Sequence, residues 1–245
     1  MVKAYSITDI GKKRTRNQDY VFTSLLPLGQ LPNLFMVADG MGGHNAGGFA
    51  SKFAVESIME TLGQQENGSP KECLLKAIRI ANYQIRQKAN EDASMEGMGT
   101  TLVAASLNGN ILTVANVGDS RLYVMGESIR QITVDHSLVE EMIRNGVIAR
   151  EQARNHPDKN IITKALGAEA DVVPDFFEVV LQPEDIVLLC SDGVSNMLTD
   201  KEMGEILIQG NNLEEKARKL VEAANENGGK DNIAVVLVKM SGEDK

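Results

Sequence analysis

The sequence predicts an α+β fold in which antiparallel sheets are covered by helices. Its strand-like runs follow one another at hairpin spacing, and Asn108-Gly109 stands between two of them. That dipeptide favours a hairpin because both residues tolerate the positive φ of a tight turn. The helical patterns come in blocks instead of alternating singly with strands, which argues against a βαβ Rossmann arrangement.

Apolar runs mark the predicted strands. The run Ile233–Met240 is apolar at consecutive positions, which suits a sheet covered on both faces. The runs are Leu34–Ala38, Thr101–Leu107, Ile111–Val117, Leu122–Met125, Ile129–Val134, Phe176–Leu181, Ile186–Cys190 and Ile233–Met240.

Capping residues mark the predicted helices. Capping boxes are predicted at Ser69 with Glu72, at Ser137 with Glu140 and at Thr199 with Glu202, and Asn212 with Glu215 starts the last helix. A further helix opens near Asn45. Gly146 can end the helix that follows Ser137, and His136 is interpreted as the residue that leads into it. The stretch 145–168 reads poorly as regular structure.

The composition is that of a globular protein, with 42% apolar and 24% charged residues. No linker or composition break divides it, so we expect one domain over residues 1–240 and a loose tail over 241–245. The net charge of −9 disfavours nucleic acid and anionic membranes as partners. No apolar run approaches the ~20 residues of a membrane span. No signal peptide is recognisable, and the two cysteines form no CxxC pair, so a cytoplasmic location is expected.

Four aspartates stand at the ends of apolar runs: Asp39, Asp119, Asp192 and Asp231. Any one of them alone is typical of a turn. Four together indicate more than turns, because a carboxylate at the end of a buried strand costs free energy unless a cation or a hydrogen-bond donor pairs with it. Few lysines or arginines lie beside them in sequence. Oxygen ligands without neighbouring His or Cys favour Mg²⁺ or Mn²⁺.

Two further segments each allow two interpretations. The glycine-rich stretch 39–48 lacks the GK[ST] of a P-loop. It is either a plain strand-to-helix turn or a turn that lets a backbone carbonyl, such as that of Gly40, approach a metal. The basic segment 11–19 is either a solvated loop or the site of an arginine, Arg14, that binds a phosphate beside the metals.

Taken together and in order, these motifs resemble the metal-dependent Ser/Thr protein phosphatase family, the PPM or protein phosphatase 2C-like group, in its compact bacterial branch. The motifs span essentially the whole chain. They are Gly11-x-x-Arg14-x-x-Asn17-x-Asp19, Asp39-Gly40-Met41-Gly42-Gly43-His44, Gly99-Thr100-Thr101, Val117-Gly118-Asp119-Ser120-Arg121, Asp135-His136-Ser137, Ser191-Asp192-Gly193 and Gly229-Lys230-Asp231-Asn232.

The resemblance implies a four-layer α/β/β/α sandwich of two antiparallel sheets, with a centre of two Mn²⁺ or Mg²⁺ ions at one edge. By motif position, Asp39 bridges the two ions, the Gly40 carbonyl holds one of them, and Asp192 and Asp231 hold the other. Asp119, with Asp192, forms a third and weaker metal site. Asp19 anchors metal-bound water, and Arg14 binds the substrate phosphate.

The implied reaction is hydrolysis of phosphoserine and phosphothreonine in proteins, without a phosphoenzyme, by a hydroxide that bridges the two ions and attacks phosphorus in line. Met41 stands where eukaryotic relatives often carry a histidine as proposed general acid. His44, three residues further on, is then the candidate for that role, and a metal-bound water is the alternative. The irregular stretch 145–168 corresponds to a flap that gates substrates.

The partners implied are phosphorylated proteins and an opposing Hanks-type Ser/Thr kinase, with the chain acting as a monomer. Two alternatives remain open from the sequence. One is a pseudophosphatase that binds phosphoproteins without cleaving them. The other is a phosphatase of small phosphoesters.

Overall fold

The computed structural model describes residues 1–43 and 46–240, which fold into eleven strands and seven α-helices. The strands are β1 (Val2–Asp9), β2 (Asp19–Ser24), β3 (Leu34–Met41), β4 (Gly99–Thr100), β5 (Leu102–Asn108), β6 (Ile111–Val117), β7 (Arg121–Met125), β8 (Ile129–Gln131), β9 (Asp175–Val180), β10 (Ile186–Cys190) and β11 (Ile233–Met240). The helices are α1 (Ala46–Gly63), α2 (Pro70–Glu91), α3 (Leu138–Arg144), α4 (Arg150–Ala153), α5 (Asp192–Ser195), α6 (Asp200–Ile208) and α7 (Leu213–Glu226), with a short 3₁₀ turn at Ala93–Met95.

The strands form two sheets. One has the order β1-β11-β10-β7-β8, and the other has the order β2-β3-β5-β6-β9 with β4 paired to β3. Every pairing between these described strands is antiparallel. The predicted antiparallel α+β class is confirmed.

The sheets pack face to face, and helices cover their outer faces. Strand β11 shows how its sequence produces this, because side chains alternate between the two faces of a strand. Ile233, Val235 and Leu237 belong to the apolar cluster beneath α6 and α7. The alternating residues Ala234, Val236 and Val238 belong to the cluster between the sheets. A third cluster lies between the other sheet and helices α1 and α2. These layers are the expected four-layer α/β/β/α sandwich.

The predicted hairpin forms, with a shifted turn. Asn108 is still paired, opposite Ile111, and the two turn residues are Gly109 and Asn110. Gly109 has φ of +60°, the conformation that glycine adopts without strain. The predicted run Ile129–Val134 is strand only to Gln131, because the Leu122 N–H then bonds to the side chain of Thr133.

Two predicted capping boxes form as expected, at Ser69 and at Thr199. The prediction at Ser137 is half wrong. Ser137 Oγ caps the Glu140 N–H, but the Glu140 carboxylate binds Arg150 instead of returning to the cap. That ion pair joins α3 to α4. Gly146, with φ of +69°, follows the end of α3 as predicted. None of the described helices has the length and hydrophobicity of a membrane span.

Candidate active site

One edge of the sandwich gathers the predicted aspartates. Strands β3 and β6 are both antiparallel to β5, so they run parallel and end at the same edge of their sheet. In the other sheet, β10 is antiparallel to β11, so the end of β10, which Asp192 follows, lies beside the start of β11, which Asp231 precedes. Each sheet therefore brings two aspartates to the edge.

A cleft of about 280 Å³ at this edge contains the predicted site. Asp39, Asp119, Asp192 and Asp231 all line it, together with Arg14 and Gly40. The rest of its lining is Gln18, Met41, Gly42, Thr101, Asn160, Ile162 and Asn232. His44 lies outside the described residues, as does the predicted tail 241–245, so the structure describes neither.

Asp19 lies behind the cleft and is buried, with 6% of its surface exposed. It stands directly opposite Asp39 in the pairing of β2 with β3. Like charges directly across an antiparallel pair are destabilising. The placement of Asp19 opposite Asp39 therefore costs stability, which indicates a functional reason for the pair.

Burial, and after it the nearness of other carboxylates, raises the pKa values of four aspartates, which are Asp19, Asp39, Asp119 and Asp192. Burial raises the pKa of Asp192 to about 6, and the neighbouring Asp231 contributes. Burial raises the pKa of Asp19 to about 7. The pKa of Asp39 is raised by burial and then by the nearby Asp19, and that of Asp119 by burial and then by Asp192.

The donor set fits divalent cations bound by oxygen. Asp19 Oδ1 and Asp192 Oδ1 are buried and have no hydrogen-bond partner among the described residues. Of the described side chains that line the cleft, Arg14 alone is cationic. No three acidic, imidazole or thiol side chains within the described ranges are placed to hold one ion by themselves. Mg²⁺-type sites use one or two carboxylates and keep several waters, so an open cluster of this kind suits them.

Arg14 reaches the cleft from the loop between β1 and β2. Its Nη2 donates to Asp231 Oδ2 at 2.7 Å, and this hydrogen bond raises the pKa of the guanidinium. The loop is fixed from behind, where the N–H groups of Lys12 and Lys13 donate to the Gly229 carbonyl. The basic segment is therefore exposed to solvent and is attached to the site through Arg14 and the Gly229 carbonyl.

Asn232 holds the same loop, a role that the sequence does not predict. Its Oδ1 accepts from the Gln18 N–H at 2.8 Å, and its Nδ2 donates to the carbonyls of Ile10 and Arg16, both at 2.9 Å. One amide side chain thus joins both ends of the segment that carries Arg14. Its position beside Asp231 in the last motif was the available signal.

Hydroxyl groups bond to the side chain of one aspartate and to the backbone of another, and the sequence predicted neither contact. Ser191 Oγ donates to Asp19 Oδ2 at 2.6 Å and accepts from the Ala234 N–H at 3.0 Å. Thr101 Oγ1 accepts from the Asp39 N–H at 3.1 Å. Both residues stand in the motifs quoted above, but a serine or threonine beside a turn is too common to indicate a role.

The structure gives Gly40 a steric reason to be glycine. A Cβ at Gly40 would overlap the carbonyl of Gly47 in the first turn of α1 and would lie 2.8 Å from the Gln18 carbonyl. The Gly40 N–H donates to that Gln18 carbonyl. Close backbone packing, and not positive φ, therefore requires glycine here.

The cleft contains no cysteine among its described lining residues. Both cysteines are buried and free. Cys190 lies within β10, where burial raises the pKa of its thiol to about 12. The acids and Arg14 can instead hold cations and a tetrahedral anion together, which is the requirement of metal-assisted phosphoryl chemistry.

The comparison with known protein families agrees with this geometry. The family model for protein phosphatase 2C matches residues 11–238. A "Serine/threonine phosphatase stp" from Listeria welshimeri is 44% identical over 239 residues, which cover 95% of this chain and 93% of the relative.

Solved structures match over nearly the whole chain. The serine/threonine phosphatase Stp1 from Staphylococcus aureus has a TM-score of 0.92 at 35% identity, covering 99% of this chain and 96% of that one. The catalytic domain of the phosphatase PstP, solved in complex with two manganese ions, has a TM-score of 0.86 at 31% identity, covering 98% and 99%. Because the family model covers residues 11–238 and these relatives match the chain over nearly its whole length, the chain belongs to the protein phosphatase 2C family.

Proposed function

We propose that this chain is a metal-dependent phosphatase that hydrolyses phosphoserine and phosphothreonine in proteins. The observation that carries the proposal is the cleft in which four aspartates from two sheets face one arginine. Family membership and relatives named serine/threonine phosphatases support the same activity.

The residues divide into metal-holding and phosphate-binding groups. Asp39, the Gly40 carbonyl, Asp192 and Asp231 would hold two Mn²⁺ or Mg²⁺ ions, and the orphaned Asp192 Oδ1 supports this assignment. Asp119 with Asp192 would hold a third ion. When bound, the ions would supply Lewis-acid polarisation of the phosphate and activation of water.

Side chains of the chain itself would bind the substrate phosphate and orient water in the cleft. Arg14 presents a guanidinium beside Asp231, and its planar donors suit phosphate oxygens. Asp19 keeps one buried oxygen without a partner while Ser191 fixes the other, so it can accept a hydrogen bond from water in the cleft. His44 remains a proposed general acid.

We propose that residues 1–240 act as one catalytic domain and that the stretch 145–168 acts as a flap. Asn160 and Ile162 from this stretch line the cleft, which supports a role beside the substrate. We also propose that the chain acts as a monomer in the cytoplasm against a Hanks-type kinase. Two free, buried cysteines agree with a reducing compartment.

The test is hydrolysis of a phosphothreonine peptide, a phosphoserine peptide and p-nitrophenyl phosphate with Mn²⁺ and with EDTA. We expect turnover of all three substrates that requires the metal. Binding of the phosphopeptides without turnover would contradict the proposal and favour the pseudophosphatase. Hydrolysis of p-nitrophenyl phosphate alone would favour a small-phosphoester enzyme.

A further inference from the structure

His136 lies between β8 and α3 and is buried, with 8% of its surface exposed. The sequence indicated only that it leads into a helix. In the structure both ring nitrogens have partners in other elements. Nδ1 lies 3.0 Å from the backbone nitrogen of Gly118, and Nε2 lies 3.2 Å from Asp175 Oδ2 at the start of β9.

These contacts define the tautomer of the ring. The Gly118 N–H can only donate, so Nδ1 must be the acceptor and carry no proton. The proton of a neutral ring then sits on Nε2, which lies 3.2 Å from Asp175 Oδ2 and 3.3 Å from Lys164 Nζ. Lys164 Nζ lies 3.5 Å from the other oxygen of Asp175 and donates to the Val173 carbonyl, so it balances the carboxylate's charge. Burial and then the nearby Lys164 lower the pKa of His136, in agreement with a neutral ring.

The backbone of His136 bonds to the chain neighbours of two residues that line the cleft. Its N–H donates to the Gly118 carbonyl at 3.0 Å, and its carbonyl accepts from the Thr163 N–H at 2.8 Å. Gly118 immediately precedes Asp119, and Thr163 immediately follows Ile162; both Asp119 and Ile162 line the cleft. Three hydrogen bonds of one residue therefore join the turn that carries Asp119 to the returning end of the stretch 145–168.

We propose that His136 is a positioning residue, whose neutral imidazole holds the Gly118–Asp119 turn in the geometry that binds metal and ties that turn to the Ile162 wall. The inference rests on the proposed function in one respect, that Asp119 is a metal ligand. It adds a role that neither the motif nor its position before α3 indicates.

The test uses two variants that each keep one half of the ring's bonding. In His136→Asn, the amide oxygen stands two bonds from Cβ, as Nδ1 does, and can accept from Gly118. In His136→Gln, the amide nitrogen stands three bonds from Cβ, as Nε2 does, and can only replace the donor to Asp175. Mn²⁺ binding is measured by calorimetry, the half-activating Mn²⁺ concentration by turnover, and folding by Tm.

We expect His136→Gln to raise the Kd of the weakest Mn²⁺ site and the half-activating Mn²⁺ concentration by about tenfold, the size typical of lost support behind a metal ligand. His136→Asn should stay near the wild type. Equal effects of the two variants at equal Tm, or no effect of either, would overturn the proposal.

If His136→Gln does not fold, the half-buried partner Asp175 offers a second pair of variants. Asp175→Asn retains an acceptor for Nε2–H, whereas Asp175→Leu removes it, and we expect weaker Mn²⁺ binding only in the latter. Equal Mn²⁺ affinity in these two would overturn the proposal. Absence of phosphatase activity in the wild type would contradict the proposed function. The calorimetric comparison of Mn²⁺ binding between the variants would still test the role of His136.

Discussion

Arg14 Nη2 lies 2.7 Å from Asp231 Oδ2, although 217 positions separate the two residues in the chain. Their side chains are 51% and 33% exposed, and an ion pair this accessible adds little to stability. The ion pair matters because it fixes the position of the Arg14 guanidinium. The pair places a guanidinium beside a proposed metal ligand, where a phosphate held by the metals would also reach the arginine.

Arg14→Ala should lower kcat/KM for a phosphothreonine peptide at saturating Mn²⁺. A hydrogen bond to a charged group contributes about 1.5–3 kcal/mol, so we expect a loss of ~10- to 100-fold. Inhibition by inorganic phosphate should weaken with it, and Arg14→Lys should recover part of both. Lys13→Ala removes the same charge from the same loop and serves as control. Equal losses in Arg14→Ala and Lys13→Ala would show that only the loop's net charge matters.

Asp192→Asn should strongly lower activity and stabilise the metal-free protein. A lost ligand costs at least as much as a lost outer contact, so we expect a decrease of about 100-fold or more in kcat/KM. Removing one of several mutually repelling carboxylates should raise the free energy of unfolding in EDTA. Urea unfolding and peptide hydrolysis measure the two effects.

The matched control for Asp192→Asn is Glu127→Gln, which removes an exposed acid between β7 and β8. It should change neither quantity. A metal-free Asp192→Asn protein that is less stable than the wild type would contradict the argument from repulsion.

Gly40→Ala should destabilise the protein by about 1–3 kcal/mol, because its Cβ would overlap the Gly47 carbonyl. Activity should fall as well, since Gly40 lies beside Asp39. Gly43→Ala is the control, because a Cβ there meets nothing within 4 Å of the described structure. Chemical denaturation of both variants measures the difference. Similar losses of stability in both would contradict the proposed packing constraint.

Without metal, stability should fall as the pH rises from about 4 to about 7. Asp192 and Asp19 have folded-state pKa values of about 6 and about 7, raised from a reference of 3.8. Between these limits the folded state keeps protons that the unfolded chain has released, so each increase in pH favours unfolding. The stability that comes from protonated Asp192 and Asp19 is therefore fully present below pH 3.8, and it is lost once the pH exceeds their folded-state pKa values.

Mn²⁺ should reverse this trend, because it binds the deprotonated carboxylates and binds more tightly as pH rises. At about 100 times its Kd, a single bound ion adds about 2.7 kcal/mol. Tm measured in EDTA and in Mn²⁺ across the same pH range tests both statements. A Tm in EDTA that rises between about pH 5 and about pH 7 would contradict the assignment.

Much of the fold could be predicted because its signals are local. Ser69 and Thr199 predict helix starts through their own caps, and the apolar run of β11 predicts a strand covered on both faces. Strand β1 was not predicted, because its side chains show no clear apolar run and are mostly half-buried. It forms by backbone pairing with β11, more than 200 residues away, which no local pattern reports.

By itself the sequence indicated the family through the order of its motifs, and it identified the aspartates at strand ends and Arg14 as candidate site residues. Only the tertiary structure decided how they meet. Sheet register placed Asp19 opposite Asp39, and the packing of loops at the sheet edge placed Arg14 on Asp231. His136 acquired its partners in the same way. The physical reason is that a cap or a turn depends on a few neighbouring dihedral angles, whereas these contacts depend on how distant segments pair and pack.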